Sequence, residues 1–239
     1  ATIVNVLSKL SLFPGKNKDR KIFAVVIENH QDARVHQRGL EDALVVAEFM
    51  VEGLITRFVA FFDEGKIPEY IGPVRSLRTY FIDGILPLAN IVIHAGGSPD
   101  ALERVEENQN ITALNAIYLE EDYFIRALGV PAPHDLFLPK DKTKELLEIN
   151  PVEESSWPPF KIGSSLGGED ATFIKVNHFN PDHNVRFTYD PLSQTYGRVN
   201  GKVLNDLHPL NIVALEMETK EIGPYGRLKV GMTGSGKAM

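Results

Sequence analysis

The chain has no cysteine. That absence excludes a disulfide-stapled scaffold, a zinc ribbon and a thiol nucleophile. It also lacks any uninterrupted apolar run approaching the roughly 20 residues that a membrane-spanning helix needs. Basic charge is in deficit, with 25 Lys and Arg against 32 Asp and Glu for a net charge of −7, so nucleic acid is not an expected partner. The start, Ala1-Thr2-Ile3-Val4-Asn5-Val6-Leu7, has neither the basic leader nor the long apolar stretch of a signal peptide. Two locations fit it: the cytoplasm, or an exported chain whose leader has been removed.

What is present is enough for a real core. The 239 residues are 43% hydrophobic and 24% charged, which suits one or two folded domains rather than a disordered tail, a collagen-like fibre or a coiled-coil rod. The pattern divides the chain into a mixed α/β domain at 1–150, a linker at 151–164 and a β-rich domain at 165–239. Three prolines, Pro151, Pro158 and Pro159, prevent a continuous helix in the linker, and Gly163 to Gly168 extend the break. The expected fold class is α+β or α/β: a mixed sheet with helices, followed by a smaller and mostly antiparallel sheet.

Within the first part, Ile22 to Ile27 reads as a buried strand, a continuous apolar run of strand length. Leu44 to Val51 and Ile55 to Phe62 are two more. Gly53-Leu54 between them suits a two-residue type II′ turn. That turn would face Glu52 with Ile55 and Met50 with Arg57. Glu48, Met50, Glu52 and Arg57 would then share one face, and Phe49, Val51, Phe58, Ala60 and Phe62 the core face. Residues 76–88 carry Leu77, Phe81, Ile85 and Leu88 at helix spacing. Asn90 to His94 is a short buried strand. Ser98 and Pro99 open a helix as cap and first position, and Asp141 is expected to cap another through Leu147.

In the second part, Thr172 to Val176, Val185 to Tyr189, Tyr196 to Val199, Lys202 to Leu204, Asn211 to Glu218 and Arg227 to Met232 read as strands. Asn200-Gly201 is a strong hairpin signal. The segment Gly231 to Lys237 imitates a phosphate-binding loop. Ala238 stands where its metal-binding hydroxyl belongs, and too little chain follows for a helix. A glycine-rich β turn is the expected reading.

Polar residues crowd the strand ends. Glu28, Asn29 and His30 follow the first strand, and His94 follows another. Ligands of open α/β sheets sit at such carboxyl ends. Each histidine alone reads as a turn or buried structural residue, whereas together they mark a candidate cleft. Arg75 and Arg78, at an expected helix start beside Ser76, could fork onto a carboxylate or phosphate. They could equally pair with Glu48, Glu52 or Asp83. His30, His94, His134, Glu48 and Glu52 are metal-ligating residue types, but no close-spaced ligand motif occurs, so no metal site is expected. Ser98 as a nucleophile competes with its simpler role as a cap.

Several stretches resemble the YerB-like bacterial lipoproteins, a family catalogued as domain of unknown function 3048. They are Ala24 to His30, Val51 to Phe58, Ile71 to Arg78, His94 to Pro99, Ala132 to Leu136, Tyr189-Asp190-Pro191 and Tyr196-Gly197-Arg198. The resemblance implies an extracytoplasmic, membrane-anchored lipoprotein of two parts with no established activity, so no catalytic residue or cofactor is carried over. Residues matching its motifs are Glu28, Asn29, His30, Glu52, Arg57, Arg75, Ser76, Arg78, His94 and His134. The chain departs from the pattern at Leu54, where a second glycine is usual, and across 34–39, which is one residue longer. The lipobox cysteine is absent, so membrane contact would come only through an anchor this chain does not carry. Relatives usually continue past Met239, so a shortened C-terminal sheet is expected. Three functions fit: a module binding a small anionic or polar envelope ligand, a hydrolase (metal-dependent or not) using His and Glu in the same cleft, or a structural protein with internal ion-pair networks.

Overall fold

The computed structural model describes residues 2–8, 18–157, 170–205, 207–223, 227–230 and 237–238. The glycine-rich run of the phosphate-loop imitation and the later part of the linker lie outside the described residues. In chain order the first elements are β1 (Thr2–Ser8), β2 (Lys18–Glu28), β3 (Val45–Met50), β4 (Thr56–Asp63), β5 (Tyr70–Ile71), α1 (Thr79–Ile85), β6 (Ile91–His94) and α2 (Pro99–Glu107). Then come β7 (Thr112–Asn115), α3 (Ala116–Tyr123), β8 (Ile125–Arg126), β9 (Leu136–Pro139), α4 (Lys140–Ile149) and β10 (Glu154–Trp157). The rest is β11 (Phe173–Val176), β12 (Val185–Asp190), β13 (Thr195–Asn200), β14 (Val203–Asn205), β15 (Asn211–Met217), β16 (Thr219–Gly223), β17 (Arg227–Val230) and β18 (Lys237–Ala238).

A nine-stranded mixed sheet runs β18-β15-β1-β3-β4-β2-β6-β7, with β10 also on β2. Among the described strands, only the β2–β6 and β6–β7 pairings are parallel. β2 sits centrally because its residues Ile22 to Ile27 are apolar on both sides. Phe23, Val25 and Ile27 enter one core, while Ile22, Ala24 and Val26 enter the other. The second core lies under α1 and α2, through Phe81, Ile82, Ile85, Ala101 and Val105. The first lies under α4 and a separate antiparallel sheet β11-β12-β13-β14, through Leu146, Leu147, Val176, Val185 and Phe187. Both cores are close-packed apolar layers, the arrangement expected of a sheet covered on two faces. β15, late in the chain, pairs with β1 along seven residues and so completes the large sheet.

Four local expectations need correction. The β3–β4 connection is not a two-residue turn: Met50 pairs with Thr56 and Phe49 with Arg57, and Glu52–Leu54 form a 3-10 turn between the strands. One residue of register moves every side chain to the opposite face. Phe49 and Val51 therefore pack on the helix side with Val59 and Phe61, while Phe58, Ala60 and Phe62 face the other core beside Glu48. Next, α1 begins at Thr79 rather than 76. Residues 74–77 are instead held extended, with the Arg75 N–H donating to Val26 and the Leu77 N–H to Gly96. In α4 the capping position is Pro139, and Asp141 sits inside the first turn. Finally, Asn200 pairs directly with Val203, so the turn residues are Gly201 and Lys202. Gly201 has φ +60, and a Cβ there would meet the Asp182 carbonyl oxygen. Only glycine suits that conformation and that approach.

Candidate functional site

The crevice beyond the carboxyl ends of β2 and β6, where ligands of open sheets usually sit, is filled by the protein's own backbone. The Glu28 N–H donates to Pro73, Arg75 to Val26, Ala95 to Arg75 and Ser98 to Leu77. Residues 73–77 thus run as a wedge between the two strand ends. Gly72 begins this wedge; it has φ +152, and a Cβ there would stand 2.9 Å from the Leu136 carbonyl oxygen. The wedge divides the expected cleft residues into separate groups.

The first group is a chain of charges. Arg75 grips Glu28 with both arms of its fork, Nη2 to Oε1 at 2.9 Å and Nε to Oε2 at 2.8 Å. His134 Nδ1 lies 2.9 Å from the same Oε2. With the carboxylate as acceptor, His134 must donate through Nδ1, which leaves Nε2 as its free nitrogen. The His30 ring stacks on His134 at 5.5 Å and 11°. His30 precedes the turn Gln31–His36, and its Nδ1 accepts from the Asp32 N–H. Exposure rises along this chain: the side chains of Glu28, His134, His30 and Asp32 are 9%, 12%, 34% and 64% exposed.

A second group lies alongside. Arg57 is the cross-strand neighbour of Glu28 and donates to the Ser76 carbonyl at 2.8 Å. Arg78 grips Glu52, with Nε to Oε1 at 2.8 Å and Nη2 to Oε2 at 2.7 Å. Burial works to raise the Glu52 pKa, but the Arg78 hydrogen bond and charge win and hold it below the usual carboxylate range. Burial, then the Arg78 charge, lowers Arg57 to about 10. Arg75 and Arg78 therefore do not converge as one fork. They sit on an extended segment and each holds its own carboxylate.

The remaining candidates lie elsewhere. His94 is fully buried, its Nδ1 bonded to the Gly96 carbonyl, and burial pushes its pKa down. It borders a separate, mostly apolar cavity with Leu102, Leu146 and Tyr118. Ser98 occupies the capping position of α2 but makes no capping bond through its side chain. Asn29 belongs to a third group that sequence reasoning missed. Its amide donates to Glu48 and Thr56, while Asn200 donates to its oxygen. Glu48 in turn accepts from Arg198 at 2.8 Å, the two side chains being 1% and 0% exposed. Arg34 reaches the Asp182 and Asn200 carbonyls and His183 Nδ1. Only one signal pointed there: Arg198 and Asn200 are polar at alternate positions of a strand, both facing inward.

With this geometry in view, the family model described as "Protein of unknown function (DUF3048) N-terminal domain" matches residues 11–153. The chain belongs to that family. A relative described as "Putative lipoprotein YerB", from Bacillus subtilis strain 168, is 28% identical over 236 residues, covering 94% of this chain and 70% of its own. The crystal structure of the Bacillus subtilis YerB protein matches with a TM-score of 0.68 at 27% identity, over 89% of this chain and 74% of that one. The mixed sheet with helices and a separate antiparallel sheet is thus shared with that relative. Among the described residues, no helix is long and apolar enough to cross a membrane.

Proposed function

We propose that this DUF3048 chain is an extracytoplasmic binding module, tethered as a lipoprotein, that takes a small anionic or polar envelope ligand on the band from Arg78 to His30. The description of the Bacillus subtilis relative as a lipoprotein supports the envelope location. One observation carries the binding reading: three guanidiniums, Arg57, Arg75 and Arg78, share the band with Glu28 and Glu52, and its outer end is a partly exposed imidazole pair beside Asp32. Guanidinium and imidazole donors held in place along one band are complementary to a carboxylate or phosphate on a polar ligand. Glycan and peptide fragments of the wall carry such groups. Calorimetry with soluble wall fragments tests this. His134→Ala and Arg57→Gln are each expected to weaken binding by about tenfold, the loss of one charge-assisted hydrogen bond. Unchanged affinity in both variants removes the reading.

A hydrolytic role has one observation in its favour. Glu28 orients His134 as a carboxylate orients a catalytic imidazole. Among the described residues, no serine or threonine hydroxyl hydrogen-bonds His134, so a hydrolytic role would use water as the nucleophile.

A further inference from the structure

We infer that the outer end of this band is a binding site for a divalent transition-metal cation, of the zinc type, held by His30, Asp32 and His134. This deepens the binding reading, on which it rests for its biological setting, by naming a ligand for the same ledge. Among the described residues these three form the group whose ligand atoms lie within 4.8 Å of one another. His30 Nδ1 and Asp32 Oδ2 are already 3.5 Å apart. Tetrahedral bonds of about 2.1 Å place ligand atoms about 3.4 Å apart, so this pair is close to its bound spacing. The His134 ligand atom lies within 4.8 Å of theirs, and the His30 and Asp32 side chains, 34% and 64% exposed, have room to close the remaining gap.

The chemistry of the donor set fits the ion. Two imidazoles and one carboxylate suit zinc and its neighbours better than calcium or magnesium, which prefer all-oxygen shells. A second, independent feature points the same way. A metal-ligating histidine commonly gives its other N–H to a carboxylate, which fixes the tautomer and raises the basicity of the ligating nitrogen. Glu28 does this for His134, and Arg75 fixes Glu28 in turn. His134 is therefore oriented before any ion arrives. His30 would exchange its 3.3 Å bond from the Asp32 N–H for the metal, a small loss at an exposed turn. Three protein ligands leave a coordination position open, where a carboxylate or hydroxyl of a wall fragment could complete the shell.

The sequence conceals this site. His30 and Asp32 stand two positions apart, but His134 lies in a distant part of the chain, so no close-spaced motif announces the set. Spatial neighbours brought together by β2, the Gln31–His36 turn and the loop before β9 make the cluster.

The experiment is a titration of the chelator-stripped chain with Zn²⁺ by calorimetry and with Co²⁺ by visible absorption, with no wall fragment present. The expected result is one equivalent bound, with a four-coordinate Co²⁺ spectrum. Binding should be lost in His134→Ala and in His30→Ala, weakened about 10- to 100-fold in Glu28→Gln, and unchanged in His36→Ala. His30→Ala guards against misfolding, since that side chain is partly exposed at a turn and lies outside both cores. No binding by the wild-type chain, or binding equal to wild type in His30→Ala and His134→Ala, overturns the inference. A parallel titration of both the stripped and the Zn²⁺-loaded protein with wall fragments reads the binding module separately. Fragment binding without metal binding defeats only the metal site, whereas metal binding without fragment binding defeats only the wall-ligand reading.

Discussion

The protein holds two ion-pair systems that start one residue apart and differ in kind. Glu28 ends β2 and joins Arg75 and His134 near the surface, whereas Asn29 turns inward to Glu48, Thr56 and Asn200. The inner system is a seam. It ties the large sheet, through Glu48 and Thr56, to the β11-β12-β13-β14 sheet and its connections, through Arg198, Asn200 and His183. Arg198 also lies over the rings of Phe58 and Phe187, 5.2 and 5.9 Å from their centroids. The outer system is a ledge that ends on imidazoles with solvent beside them. A buried pair must find all its partners within the fold, because water cannot supply them. A half-exposed one can leave valence for a guest. That contrast separates what holds this fold together from what it offers to others.

Breaking the seam should have the largest effect. Arg198→Ala leaves the Glu48 carboxylate buried without its guanidinium, and a loss of about 3–5 kcal/mol is expected. Urea unfolding measures it. The double variant Glu48→Gln with Arg198→Met should recover most of that loss, since removing both charges also removes their desolvation cost. If the single variant costs less than about 1 kcal/mol, the seam is not the structural element proposed.

The second effect is pH dependence, and it belongs to the seam. Burial first, and then the Arg34 charge, depress the His183 pKa to about 3 from the ordinary 6.5. The folded state therefore refuses a proton that the unfolded chain accepts below 6.5. Stability is full above that value and falls as pH drops from about 6.5 toward 3. Glu48 adds to the fall at the acid end. Burial works to raise its pKa, but Arg198 and its other partners win, so it too is held below its ordinary value. Unfolding midpoints measured through this window should decline, and His183→Asn should flatten the upper part of the decline. A profile that is flat from neutral pH into the acid range would contradict the placement of His183.

How much of this was legible beforehand follows from what a single sequence encodes. β2, β6 and β11 to β15 were readable because apolar runs and alternation are local signals, whereas β16 and β18 were not singled out. The mixed α+β class was readable too; Glu28, His30 and His134, singled out as candidate polar residues, do lie against one another. The β3–β4 register was not readable, because Gly53-Leu54 suits more than one turn, and the turn adopted is the one in which Glu52 meets Arg78. Nor was the late start of α1, where helix spacing was real but the backbone of 74–77 found better partners in β2 and Gly96. Arg198 and Glu48 lie 150 positions apart, and pairing at that distance is set by topology alone.

The smallest expected effect sharpens the comparison from the other side. Arg78 and Glu52 are bidentate like Arg75 and Glu28, but their side chains are 15% and 21% exposed, against 20% and 9% for the Arg75–Glu28 pair. Water reaches Glu52 and screens the pair, so Arg78→Ala should cost only about 0.5–1 kcal/mol. The same urea experiment that reads Arg198→Ala reads this one. Near-equal losses for the two arginines would mean that the outer band is as structural as the seam. A small loss for Arg78 beside a large one for Arg198 would leave the band free to serve recognition, because residues that contribute little to stability can be arranged for a ligand instead.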